Sequence, residues 1–310
     1  MSLPPGTRGW RSGCAGCAGH EVGARGGLRP RGQAARNPAS EPRGVPDVNQ
    51  PSTHPTHLPD LTGQVALVTG AGGWIGQGIA RRFAAAGAAV VTHYRNSEDA
   101  ARALVAEIGD AGGSALALGA DLADEAECHR LVREAAAWRE GRLTALVNNA
   151  GVQPVQPLPG MTLADWSAVV DTNLRATFAC TQAAAEVMRE SGGGTITHIA
   201  SIEASQPAPG HAHYNASKAA VAMHARSAAL EYGPYGIRVN SVSPGLIGRP
   251  GLADAWPDGV RRWEAAVPAG RLGRAEDVAD ACVFLASPMA SFVTGHDLVV
   301  DGGISARPTW

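Results

Sequence analysis

From Leu61 onward the chain alternates short apolar runs with longer Ala-rich stretches, and this rhythm limits the possible folds more than any other feature. Residues 65–69 read as a buried strand, 75–86 as a helix, 88–93 as a second strand and 99–108 as a helix. Further strands are expected at 115–118, 145–147, 195–199, 238–242 and 298–300, with helical stretches between them. Right-handed crossovers place all of these strands in one parallel sheet with helices on both faces. The expected fold is therefore a doubly wound α/β sheet, and 61–310 reads as a single domain because no composition break interrupts it.

Residues 1–60 differ in kind. They hold seven arginines and many Gly and Pro with almost no aliphatic periodicity, so disorder is expected there. The basic start is not followed by the apolar run of a secretory signal. A translation start near Leu61 is a second reading of this tail, which the intact mass of the natively expressed protein would decide. Cys14 and Cys17 have CxxC spacing, but they stand in the low-complexity tail with no second pair nearby. The other cysteines, Cys128, Cys180 and Cys282, are scattered singly, which fits packing or surface residues in a reducing, cytoplasmic setting. A net charge of -2 offers no basic stripe for nucleic acid, and no apolar run is long enough for a membrane span.

The first strand runs through Thr69-Gly70-Ala71-Gly72-Gly73-Trp74-Ile75-Gly76 into a helix. Glycines in that position let the backbone turn sharply and approach a pyrophosphate, whose charge the helix N-terminus stabilises. This turn is similar to that of the short-chain dehydrogenase/reductase family, whose members carry TGxxxGxG on a Rossmann-type sheet. Thr69, Gly70 and Gly76 match that frame, but Trp74 stands where the middle glycine is expected, so the spacing is Gly70, Gly73, Gly76. The second strand ends in His93-Tyr94-Arg95-Asn96-Ser97 with no carboxylate to hold a ribose 2'-hydroxyl. Arg95 offers a planar cation to a 2'-phosphate, with Asn96 and Ser97 as neutral donors, so NADP is expected and NAD remains possible.

Chemistry concentrates at Ser201 and at Tyr214-Asn215-Ala216-Ser217-Lys218. On a helix read over 214–230, Tyr214 and Lys218 share one face at i and i+4. Reducing a ketone needs a hydride at carbon and a proton at oxygen. A phenol with a pKa of about 10 needs about 4 kcal/mol of electrostatic help to ionise at neutral pH, which a close ammonium can supply. Ser201 falls at the carboxyl end of a strand, where open sheets bind ligands, and its hydroxyl can hold the substrate oxygen. Lys218 is the single lysine beside 25 arginines, a position where a compact ammonium was kept.

The resemblance extends these assignments over nearly all of 61–310. It implies that Asn173 anchors a water leading to the lysine, that Asp121 and Leu122 contact adenine, and that Asn149, Ala150 and Gly151 of an NNAG motif support the cofactor. It also implies cofactor contacts from Ile75, Tyr214, Lys218, Pro244, Gly245 and Ile247, and a homotetramer or dimer built on helix faces and the last strand. The segment 246–268, with Trp256 and Trp263 amid Pro and Gly, reads as a substrate lid suited to an apolar or cyclic small molecule. The implied activity is interconversion of a ketone and a secondary alcohol, as in 3-oxoacyl carrier-protein reductases. Enoyl reduction fits less well, because that branch separates its Tyr and Lys more widely. Trp74 motivates the alternative of a non-catalytic dinucleotide-binding protein. His198, His211, His213 and His224 do not form a zinc motif with a supporting carboxylate, and they are expected to line the cleft or face solvent. No GxSxG turn marks Ser201 as a nucleophile.

Overall fold

A computed structural model describes residues 57–306. Most of the 1–60 tail, with Cys14 and Cys17, lies outside the described residues. Seven strands form one all-parallel sheet: β1 (Val65–Val68), β2 (Ala89–Tyr94), β3 (Ser114–Gly119), β4 (Ala145–Asn148), β5 (Gly194–Ile199), β6 (Ile237–Pro244) and β7 (Asp297–Val300). Their order is β3-β2-β1-β4-β5-β6-β7. The order reverses between β1 and β4, and at such a switch point the strand ends splay apart into a crevice. Each strand expected from the sequence is present with its bounds moved by no more than two residues.

The helices are α1 (Trp74–Ala85), α2 (Glu98–Asp110), α3 (Glu125–Ala137), α4 (Leu163–Val170), α5 (Ala176–Glu190), α6 (Ala212–Tyr232), α7 (Leu252–Ala255), α8 (Pro257–Ala266) and α9 (Ala275–Ala286). Because side chains alternate along a strand, β1 feeds two cores. Leu67 packs with Leu131, Cys180 and Ile196 under α3, α5 and α6. Ala66 and Val68 pack on the opposite face with Ile79, Phe83 and Val283, under α1, α2 and α9. Burial of each such Leu, Ile or Phe contributes about 1.5–3 kcal/mol, and apolar cover on both faces explains why the strands read as continuous hydrophobic runs.

Two features depart from the sequence reading. The segment 246–268 folds largely as α7 and α8, with the Trp256 ring packed on the backbone of Gly259 and with Val260 and Val267 buried. His198 and His213 are fully buried, not cleft-lining or exposed as expected. The His198 ring stacks on His224 with centroids 5.3 Å apart, because β5 is covered by α6 on that face.

Candidate active site

The glycine turn is fixed by close backbone approach. Gly70 sits at φ +64°, and a methyl group there would lie 2.9 Å from Ala150 Cα. At Gly76 it would lie 2.4 Å from the Gly70 carbonyl oxygen and 2.7 Å from Asn149 Nδ2, so neither position tolerates a side chain. Gly72, not singled out from the sequence, is equally restricted by Ser97 at 2.7 Å, whereas Gly73 has only Gly70 O at 3.4 Å. Trp74 is the first residue of α1 and 43% exposed. Asn149 donates from Nδ2 to Thr69 O at 2.9 Å, and the Thr69 hydroxyl accepts from Asn149 N and Ala150 N at 2.9 and 3.0 Å. The NNAG segment is thereby tied to the turn.

A histidine that the sequence reading passed over as the end of a strand completes this support. His93 is buried; its Nδ1 accepts from Gly70 N at 3.0 Å and its Nε2 donates to Ala120 O at 3.1 Å. One ring thus links the ends of β1, β2 and β3, and burial keeps it neutral by lowering its pKa. Only the position of Gly70 relative to β2 could have revealed this, and that is a property of the fold.

The turn fits a dinucleotide. The N-cap of α1 is Gly73, with no side-chain cap and no acid in the first turn, while α3 is capped by Asp124 and α4 by a Thr162/Asp165 box. An uncapped helix end at the switch point leaves its N–H groups and dipole for an anion. Arg95 and Asp121 stand together at the ends of β2 and β3, 3.9 Å apart and both largely exposed. Asn96 and Ser97 are exposed beside them, and Tyr94 is half-buried against Gly119. The Leu122 side chain is committed to the core. Gly245 follows Pro244 at the end of β6 and has Asp301 and Trp263 within 3.0 Å of where a Cβ would stand. Ile247 is half-buried and bridges to Gly273.

At the other side of the switch point the structure brings Asn173, Ser201, Tyr214 and Lys218 together. Lys218 is 5% exposed, and its ammonium donates to Ile199 O at 2.7 Å, so the end of β5 aims it. Its Nζ lies 5.6 Å from the centre of the Tyr214 ring. Gly151 lies beside Asn173, whose Oδ1 would stand 3.1 Å from a methyl group placed on the glycine. The Ser201 hydroxyl accepts from Glu203 N at 3.1 Å and exerts a lowering effect on the Tyr214 phenol. Asn173 lies in a π-helical turn, Asp171–Arg175, that widens the helix between α4 and α5. Its side chain accepts from Val152 N at 2.8 Å and donates to Val152 O and Ser217 Oγ at 3.0 and 3.1 Å.

Burial sets the charges. It pushes the Tyr214 phenol up to about 12, against the lowering effect of Ser201, and Glu203 adds to the rise. It pulls the Lys218 ammonium down to about 8. Desolvation thus opposes the lowering expected from the lysine together with an oxidised nicotinamide.

A dinucleotide turn beside a tyrosine–lysine pair on one helix defines an oxidoreductase of the Rossmann type. The family model described as enoyl-(acyl carrier protein) reductase matches residues 70–305. The chain is 40% identical over 252 residues to 3beta-hydroxysteroid dehydrogenase 1 of Eggerthella lenta, covering 80% of this chain and 96% of that one. It is 39% identical over 245 residues to a 3-oxoacyl-[acyl-carrier-protein] reductase of Synechocystis, covering 79% and 98%. The crystal structure of a gluconate 5-dehydrogenase from Burkholderia cenocepacia in complex with NADP and tartrate superposes with a TM-score of 0.75 at 36% identity, covering 80% of this chain and 98% of that one. The chain belongs to the short-chain dehydrogenase/reductase family and is an oxidoreductase acting on CH–OH and C=O groups. Among the described residues no helix is long and apolar enough to cross a membrane.

Proposed function

We propose that this enzyme interconverts a small-molecule ketone and its secondary alcohol, prefers NADP over NAD, and uses Tyr214 as general acid and base. The observation that carries this reading is the buried Lys218 ammonium held by Ile199 O, with its Nζ 5.6 Å from the centre of the Tyr214 ring. Gly70, Gly72, Gly73, Gly76 and the first turn of α1 would hold the diphosphate, and Arg95, Asn96 and Ser97 the 2'-phosphate. When bound, the nicotinamide supplies or accepts the hydride. A phenol held near 12 is protonated at neutral pH, so Tyr214 can donate its proton to the substrate oxygen that Ser201 holds. The resulting phenolate is stabilised by Lys218 while that amine carries its charge, below about 8. Asn173 fixes Val152 and Ser217, and through them the loop and the helix face that frame the pair.

The described residues of 61–310 serve as the catalytic domain, with 246–268 as its lid; Trp263 against Gly245 supports that placement. A homo-oligomer is supported by exposed Phe178, Met223 and Leu230 on α5 and α6 and by exposed Val299 on the edge strand β7. Three buried free thiols, Cys128, Cys180 and Cys282, accord with a cytoplasmic site. The test is initial rates with a panel of ketones and each reduced cofactor. NADPH should give the higher kcat/KM, and Tyr214→Phe should abolish turnover while retaining cofactor binding; a preference for NADH, or turnover by Tyr214→Phe, would contradict the reading.

A further inference from the structure

Two loops meet beside the phenol, residues 151–156 after β4 and 202–211 between β5 and α6. The Glu203 carboxylate accepts from Gln153 Nε2 at 3.0 Å and pairs with His211 Nδ1 at 2.9 Å. The His211 ring stands edge-on to Tyr214 with centroids 6.2 Å apart. Both side chains of the Glu203–His211 pair are 16% exposed. Gln156 N donates to Gly210 O at 2.8 Å and Asn215 Nδ2 to Ala208 O at 3.1 Å, so the loops are held in register.

Proton transfer to a carbonyl gains nothing from this carboxylate, which opposes ionisation of Tyr214. Its chemistry points to recognition instead. A carboxylate only accepts, so His211 Nδ1 donates to Glu203. Gln153, with Nε2 engaged, presents Oε1 as an acceptor, and Glu203 keeps lone pairs beyond the two used. The loops beside the Tyr214 ring thus offer acceptors from Glu203 and Gln153. Hydroxyl groups complement them, whereas a carboxylate or phosphate would be repelled.

We propose that Glu203, His211 and Gln153 form a subsite for a hydroxyl on the carbon next to the reacting one, so that the preferred substrates are neutral vicinal diols and the matching hydroxyketones. The subsite rests on the carbonyl–alcohol reading above. It is tested by oxidation with NADP+ of 1,2-cyclohexanediol, cyclohexanol and 2-hydroxycyclohexanecarboxylate by the native enzyme and by Glu203→Gln. The native enzyme should favour the diol at least tenfold in kcat/KM over both others, and Glu203→Gln should lose at least tenfold of that preference. Quenching of tryptophan fluorescence by NADP+ reports that the variant is folded. Equal or better use of cyclohexanol or the anion by the native enzyme overturns the subsite alone, as does a folded Glu203→Gln that keeps the preference within twofold. Failure to oxidise any of the three alcohols overturns both the subsite and the carbonyl–alcohol reading.

Discussion

Around the β1–α1 turn the defining contacts are backbone ones, with added methyl groups at Gly70 and Gly76 meeting backbone atoms at 2.9 and 2.4 Å. Around the phenol they are made by side chains, Lys218 on Ile199 O and Glu203 on His211 and Gln153. The first end binds a ligand common to a large family through the chain's own geometry, so few sequences satisfy it. The second end can change its ligand by exchanging single side chains while the fold stays as it is.

The sharpest way to break this comparison is at Lys218, where a single side chain carries the chemistry. Lys218→Arg should fold with an unchanged melting temperature yet lose about a thousandfold in kcat, because a forked guanidinium cannot replace a compact ammonium at one carbonyl. Circular dichroism with steady-state rates checks it, and near-normal turnover would remove Lys218 from the mechanism. At the backbone end, Gly76→Ala should raise the KM for cofactor at least about tenfold or destabilise the fold by about 1–3 kcal/mol, while Gly73→Ala stays near native. Equal effects of the two substitutions would dissolve the distinction between the ends.

The pH profile sharpens the same contrast. Lys218, lowered to about 8, is charged below that value and neutral above it, whereas Tyr214, near 12, keeps its proton throughout. Reductive kcat/KM should therefore fall as pH rises through about 8, by up to about tenfold per further pH unit, while cofactor binding at the glycine turn changes little. Rates rising across that interval would reverse the assignment. The smallest effect is expected at Trp74, exposed on the first turn of α1: Trp74→Gly should shift cofactor affinity by less than about twofold, measured by fluorescence titration.

These differences also explain what could be read in advance. The sheet was legible because each strand is buried on both faces and so appears as an unbroken apolar run between helical stretches. Gly70 and Gly76 were legible because a backbone constraint admits one residue type, and Tyr214 with Lys218 because both lie one turn apart on the same helix. Gly72 was missed because its neighbour, Ser97, arrives from the far end of β2. His93 and the Gln153–Glu203 contact were missed because their partners are distant in the chain and meet only after folding. The π-helical turn at Asn173 has no distinctive composition, since Asp171–Arg175 would equally suit an ordinary helix. The desolvation of the phenol was not legible, because a charge pair can be counted from sequence and its burial cannot.

The single lysine has a consequence for reagents as well as for substrates. Among the side chains of this protein there is one primary amine, and it lies buried beside the reacting phenol. Amine-selective labels, which decorate most proteins at many surface points, would here have one slow side-chain target. The extent of side-chain acylation would count working active sites, and its suppression by ligand would titrate their occupancy.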